Sequence, residues 1–210
     1  MDMIIKFNCQ TAARDKLARL FQYSCRTLWY VMKEYQLSSN NSIGKFESLE
    51  YHFSTFRKLL RFGRFFENLY HALNTINRPN IIVSTTSTLA HISNAIFLFC
   101  DHILWLGRAG LSDVHSKKWF NLSNKYWLYS IIMNLVKNYF EIKQLLERKT
   151  NLNIQFLIKH HKTLLCDVIK NSCDIFIPLT ALGFLKFSPG SVGLFGVVSS
   201  IAGILLLLDQ

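Results

Sequence analysis

At 210 residues, the chain sets 24 Lys and Arg against 13 Asp and Glu, a formal charge of +11, while 50% of it is hydrophobic and 14% aromatic. So basic an excess on so apolar a chain points to an anionic lipid surface rather than to nucleic acid, because each cation near the headgroups contributes roughly 1 kcal/mol. Its 5 cysteines, odd in number and without framework spacing, exclude a disulfide-stapled secreted fold and fit a reducing compartment.

Residues 1–8 hold no apolar core preceded by positive charge, so no secretory signal peptide is expected and the N-terminal region stays in the cytosol. With only 3 prolines and few apolar/polar alternations, most of the chain reads as helix, with no sheet. A first helix over residues 11–34 sets Ala13, Leu17, Leu20, Phe21, Ser24, Leu28 and Val31 on one face, with Arg19, Arg26 and Lys33 opposite. Residues 36–45, rich in Ser and Asn, read as a loop. A second helix over residues 46–77 ends before Pro79, since the residue before proline avoids the helical conformation.

That second helix carries the sharpest pattern. Projected at 100° per residue, Phe53, Phe56, Leu59, Leu60, Phe66, Tyr70 and Leu73 share one side, and Arg57, Lys58, Arg61 and Arg64 share the other. Two readings fit. In one, the helix lies in a membrane interface, its aromatics below the headgroups and its cations on lipid phosphates. In the other, it is a core-facing helix with a solvated basic face. No acidic residue occurs from Ser54 to Phe66, which favours the membrane surface.

Residues 79–100 carry no charge but are rich in Ser and Thr, and Asp101 and His102 interrupt the apolar stretch beyond them. A carboxylate at a bilayer centre costs about 2.5 to 3.5 kcal/mol on insertion scales, so this segment spans only with protein or water beside Asp101. Residues 119–148 form another helical block, 150–153 a turn, and 154–173 a further helix. Residues 175–185, broken by Pro178 and Gly183, are too short to cross and fit an interfacial or re-entrant segment able to form a hairpin with the final span.

The uncharged run over residues 187–208 is the strongest single signal. A helix from Pro189 is roughly 30 Å long, the thickness of a hydrocarbon core. Within it Gly196 and Ser200, and Ser199 and Gly203, are small residues four apart, a spacing that lets helices approach closely for self-association or for packing within the chain. The fold class expected is therefore all-α, an integral membrane protein. Residues 1–80 form a cytosolic amphipathic helical region, and residues 81–210 a membrane-associated region with its C-terminal span at 187–208.

Catalytic, cofactor and metal signals are weak. His91, Asp101 and His102, or His160, His161, Cys166 and Cys173, lack the short paired spacing of zinc sites. No nucleophile elbow, phosphate-binding glycine loop or His-Glu-x-x-His helix is present, so no catalytic residue, cofactor or metal is assigned and an enzyme is not supported.

Five stretches in one order carry a resemblance. They are Phe7-Asn8-Cys9-Gln10-Thr11-Ala12-Ala13-Arg14-Asp15-Lys16-Leu17; Arg57-Lys58-Leu59-Leu60-Arg61-Phe62-Gly63; Asp101-His102-Ile103-Leu104-Trp105-Leu106-Gly107-Arg108-Ala109-Gly110-Leu111; Cys173-Asp174-Ile175-Phe176-Ile177-Pro178-Leu179; and Gly190-Ser191-Val192-Gly193-Leu194-Phe195-Gly196-Val197-Val198-Ser199-Ser200-Ile201. Together they resemble the peroxin eleven family of peroxisomal membrane proteins, most of all its animal alpha and beta branch. The resemblance implies a multi-spanning peroxisomal membrane protein with both termini towards the cytosol. Such a protein elongates the membrane before division, self-associates and engages the dynamin-based fission machinery and its membrane adaptors. It also implies that residues 50–77 match the family's membrane-deforming amphipathic helix. Lipid contact then falls to Phe53, Phe56, Arg57, Lys58, Leu60, Arg61, Arg64 and Phe66, on an acidic phospholipid membrane, and self-association to Gly196, Ser199, Ser200 and Gly203. Two departures stand out: residues 143–162 lack the glycine-rich insert of some animal members, and no basic tail extends past Asp209-Gln210.

The mechanism expected is a wedge that expands one leaflet and favours tubules. A rival from another class is a solute-conducting channel, motivated by Asp101, His91 and the Ser/Thr-rich residues 81–94. A third is a soluble helical scaffold.

Overall fold

The computed structural model describes residue 7 and residues 9–37, 39–76, 80–148 and 161–208, and among them every regular element is a helix. Helix α1, Thr11–Glu34, has the bounds its periodicity predicts. The single helix expected over residues 46–77 is instead two, α2 (Asn40–Leu60) and α3 (Arg64–Ile76). Gly63 makes the break: its φ of +79° lies in the left-handed region that a side chain disfavours. The amide of Phe62 closes the turn on the Leu59 carbonyl at 2.9 Å. Helix α2 also starts inside the stretch read as a loop, because Ser and Asn suit helix starts as well as loops.

Helix α4 (Ile81–Arg108) is capped by the Asn80 side chain, which accepts from the amides of Ile82 and Val83 at 3.2 and 3.4 Å. Helix α5 (Ser116–Arg148) returns alongside it. Helices α6 (Lys162–Asp174) and α7 (Phe176–Ala181) lead to α8 (Pro189–Leu208), which opens on a proline whose missing N–H no helix start needs. The expected helix end at residues 78–79, the turn at 150–153, the helix start from residue 154 and the readings made at residues 1–6, 8 and 209–210 lie outside the described residues.

Among the described residues, two helices are long and apolar enough to cross a bilayer, α4 with 28 residues and α8 with 20. The condition set for α4 is met: Asp101 is 2% exposed and lies beside Lys58 and Arg61. The short segment after Asp174 packs Phe176 on Phe187 and Phe195, at ring separations of 5.7 and 4.6 Å. The longer α6 is the main hairpin partner of α8.

The helices pair antiparallel. Down α1 and α2, Glu50 accepts from Arg26 Nε and Trp29 Nε1 at 2.6 and 2.7 Å, Phe21 stacks on Phe53, and Arg57 reaches Gln22 at 2.6 Å. Down α3 and α4, Thr75 meets Thr88 at 2.9 Å and Asn94 donates to Asn68 at 2.8 Å. On its other side α1 lies along α8, with Tyr30, Thr27, Tyr23 and Lys16 against Gly190, Gly193, Gly196 and Gly203 in turn. Residue 80 is therefore not a packing boundary, since the first helix and the last share one bundle.

The bundle is polar inside and apolar outside. Asp15, Arg19, Gln22, Arg57, Lys58, Asp101, Asn138, Asn171 and Asp174 are buried, while Phe21, Leu28, Phe56, Phe62, Leu73, Leu89, Phe99, Leu194 and Ile201 are exposed. In water this would be unfavourable, because soluble proteins hide such side chains. Against hydrocarbon it is the favourable arrangement, since charged groups then find their partners inside the protein.

Candidate functional site

The basic face of α2 and α3 points inwards. Arg57 Nε lies 3.1 Å from Asp15 Oδ1, Lys58 Nζ binds Asp101 Oδ1, and Arg61 Nη2 lies 2.9 Å from Asp101 Oδ2 and its Nε 3.6 Å from Asp15. Arg61 also sits over the Phe97 ring at 5.5 Å. Only Arg64 pairs near the surface, with Glu67 at 3.4 Å. The apolar face points outwards: Phe56, Leu59, Phe62, Phe66, Leu69, Tyr70 and Leu73 are exposed, Phe66 at 66% and Leu73 at 65%. Phe53 and Leu60 are half-buried.

This arrangement sorts the eight residues expected at the lipid. Phe56 and Phe66 are free to meet acyl chains, with Phe53 and Leu60 at the edge of that ridge. Arg57, Lys58 and Arg61 are engaged with the buried carboxylates of Asp15 and Asp101. The physical reason is desolvation. A cation beside a fixed carboxylate loses less on leaving water than an unpaired one does, and α1 and α4 bring Asp15 and Asp101 to those cations.

The small-residue stripe of α8 is also turned inwards. A side chain at Gly196 would run into the Tyr23 ring, and at Gly203 would meet Lys16 Cε at 3.2 Å. Ser199 and Ser200 are fully buried; Ser199 Oγ donates to Asp174 and Ser200 Oγ to the Gly196 carbonyl at 2.6 Å. The close approach permitted by Gly196, Ser199, Ser200 and Gly203 is used within the chain, by α1 and α6.

A cavity of about 710 Å³ lies inside the bundle, lined from all eight helices. Basic side chains outnumber carboxylates on its wall. Arg19 binds Asp174 through both terminal nitrogens and lies over the Tyr23 and Trp127 rings at 5.4 and 5.7 Å. Nearby, Lys170 donates to Asp167 at 2.7 Å and Asn138 does so at 3.2 Å. Burial pushes the Asp167 carboxyl up, but Lys170, Lys137 and Asn138 more than offset it and hold the group below the ordinary carboxylate range.

The cluster of Asp15, Arg19, Gln22, Asn171 and Asp174 is not among the residues that sequence reasoning singles out as a site. A signal was present: Asp15, Arg19, Gln22 and Arg26 recur every three or four residues, a polar stripe on one side of α1. His102 Nε2 donates to the Arg61 carbonyl at 3.0 Å, and His91 lies against His71. Among the described residues no three His, Cys, Asp or Glu side chains gather as a metal site.

An all-helical chain with two bilayer-length helices, a lipid-compatible outside and a charged inside is an integral membrane protein. Residues 1–208 match the family described as Peroxisomal biogenesis factor 11 (PEX11), and the chain belongs to that family. It is similar to peroxisomal membrane protein 11B of Pongo abelii and of Homo sapiens, at 32% identity over 99% of this chain and 97% of each relative. It is equally similar to peroxisomal membrane protein 11A of Homo sapiens, 32% identical over 98% of this chain and 95% of that protein. No solved structure matches it. Its role is thus one at the peroxisomal membrane.

Proposed function

We propose that this protein elongates and remodels the peroxisomal membrane during peroxisome division and proliferation, by seating the apolar ridge of α2 and α3 among the acyl chains of one leaflet. The observation that supports this reading is the exposure of Phe56, Phe62, Phe66 and Leu73 on helices whose charged face is already satisfied inside the bundle. Each such side chain contributes about 1.5 to 3 kcal/mol at full burial and less at an interface. Material added to one leaflet enlarges its area, and the mismatch favours tubules. Attraction to acidic phospholipid then comes from exposed cations such as Lys45, Lys117 and Lys118 rather than from the buried three. Self-association would multiply the wedges, through a face other than the filled α8 stripe. The family resemblance extends the proposal to the dynamin-based fission machinery and its membrane adaptors as partners, and to cytosolic termini.

Replacing Phe56 and Phe66 together by Glu tests the ridge. A carboxylate at the centre of a membrane costs about 2.5 to 3.5 kcal/mol and less near the interface, against nothing for a ridge facing water. The double variant is expected to stay in peroxisomal membranes, anchored by α4 and α8, but to lose tubule formation in cells. Persistent tubules with normal amounts of the variant would sink the proposal.

A second reading, solute conduction, is favoured by one observation, the 710 Å³ polar cavity. With Asp101 neutralised by Lys58 and Arg61, cation selection through that carboxylate loses its basis. A cation-selective current from purified protein, altered by Asp101→Asn, would restore it.

A further inference from the structure

The wall of the cavity where α1 meets α6 holds more hydrogen-bond donors than acceptors. Arg19 is 5% exposed and Asn171 2% exposed, and among the described residues neither Arg19 Nε nor Asn171 Nδ2 has an acceptor. Of the cluster's two carboxylates, Asp174 is taken up by the two terminal nitrogens of Arg19 and by Ser199 Oγ, and Asp15 by Arg57 and Arg61. Lys170 is committed to Asp167. Lys16, one turn before Arg19 on the same wall, has no carboxylate within ion-pair distance among the described residues.

Buried donors without partners are rare in native proteins and each is costly to leave unpaired. Here two of them and the Lys16 amine lie on the wall of one cavity, from two helices that both pack on α8. An ammonium, a guanidinium N–H and an amide N–H on the wall of one cavity suit a ligand with several acceptor oxygens and negative charge. The cavity has room for more than a bare ion. We propose that this wall binds a phosphate group, on a lipid headgroup or free in solution, held by Lys16, Arg19 and Asn171. The site goes beyond the elongation proposal, and its test in detergent is independent of whether membranes tubulate.

The full chain, purified in a neutral detergent, is melted with inorganic phosphate, with dioctanoyl phosphatidic acid, and with sodium chloride at matched ionic strength. At about 100 times the dissociation constant, a ligand of the folded state raises the melting temperature of a chain of this size by roughly 5 to 10 °C. The wild type is expected to show that rise over chloride. A response to inorganic phosphate identifies a soluble source, and a response to the lipid alone a headgroup. Lys16→Gln, which removes the charge, and Asn171→Asp, which replaces a donor by an acceptor, should each weaken binding at least tenfold relative to their own baselines. Lys16→Arg and the surface variant Lys45→Gln should keep it. If neither probe moves the wild type beyond chloride, or if Lys16→Gln and Asn171→Asp bind as well as wild type, the site does not exist.

Discussion

Asp101→Leu is expected to lower the melting temperature of the purified protein by roughly 6 to 20 °C, the equivalent of about 3 to 5 kcal/mol for a buried pair broken on one side. The carboxylate is 2% exposed and holds both Lys58 and Arg61. Its removal strands the Lys58 ammonium, whereas Arg61 keeps Asp15 at 3.6 Å. Adding Lys58→Met should therefore recover most of the loss. Insertion energetics of α4 taken alone give the opposite sign, because Leu enters a bilayer about 3 kcal/mol more readily than Asp. A stabilised or unchanged Asp101→Leu protein would show that this helix is governed by insertion, not by the ion pairs.

Gly196→Leu should unseat α1 from α8. Any side chain at Gly196 enters the space of the Tyr23 ring, and overpacking of that kind costs about 1 to 3 kcal/mol or more where neighbours cannot yield. Tyr23 itself is buried, so it cannot swing out of the way without opening the contact. Gly203→Ala should be far milder, since what it meets is the flexible end of Lys16. Leu194→Ala, on the exposed side of the same helix, should leave melting nearly unchanged. If the stripe joined two copies instead, Gly196→Leu would split an oligomer at an unchanged monomer melting temperature.

Some of this was legible in the residues and some was not, for identifiable reasons. The bounds of α1 and the length of α8 follow from apolar periodicity and from the uncharged run, which are local properties. The break at Gly63 was hidden because the apolar spacing continues across the turn, so Phe56 and Phe66 still fall on one side of a single projected helix. The two faces of α2 and α3 were found, but not which one turns inwards. That choice depends on Asp15 and Asp101, 42 and 43 residues away from Arg57 and Lys58, and periodicity does not see such partners. The same gap made α4 look a poor span. For Gly196, Ser199, Ser200 and Gly203, identical spacing serves contacts within a chain and between chains; only the Tyr23 ring decides. Nothing local to α6 marks Asp174, whose partner Arg19 lies 155 residues away on α1.

The central claim, that the ridge of α2 and α3 lies in acyl chains while its basic face is held inside, can be read directly by fluorescence. Phe66→Cys and Leu73→Cys, each in a Cys9→Ser background and labelled with an environment-sensitive fluorophore, are reconstituted into liposomes. The two quenchers are nitroxides on the lipid chains and iodide in the buffer. The account predicts strong quenching by the chain nitroxides and little by iodide at both positions. Quenching by iodide with none from the nitroxides would contradict it.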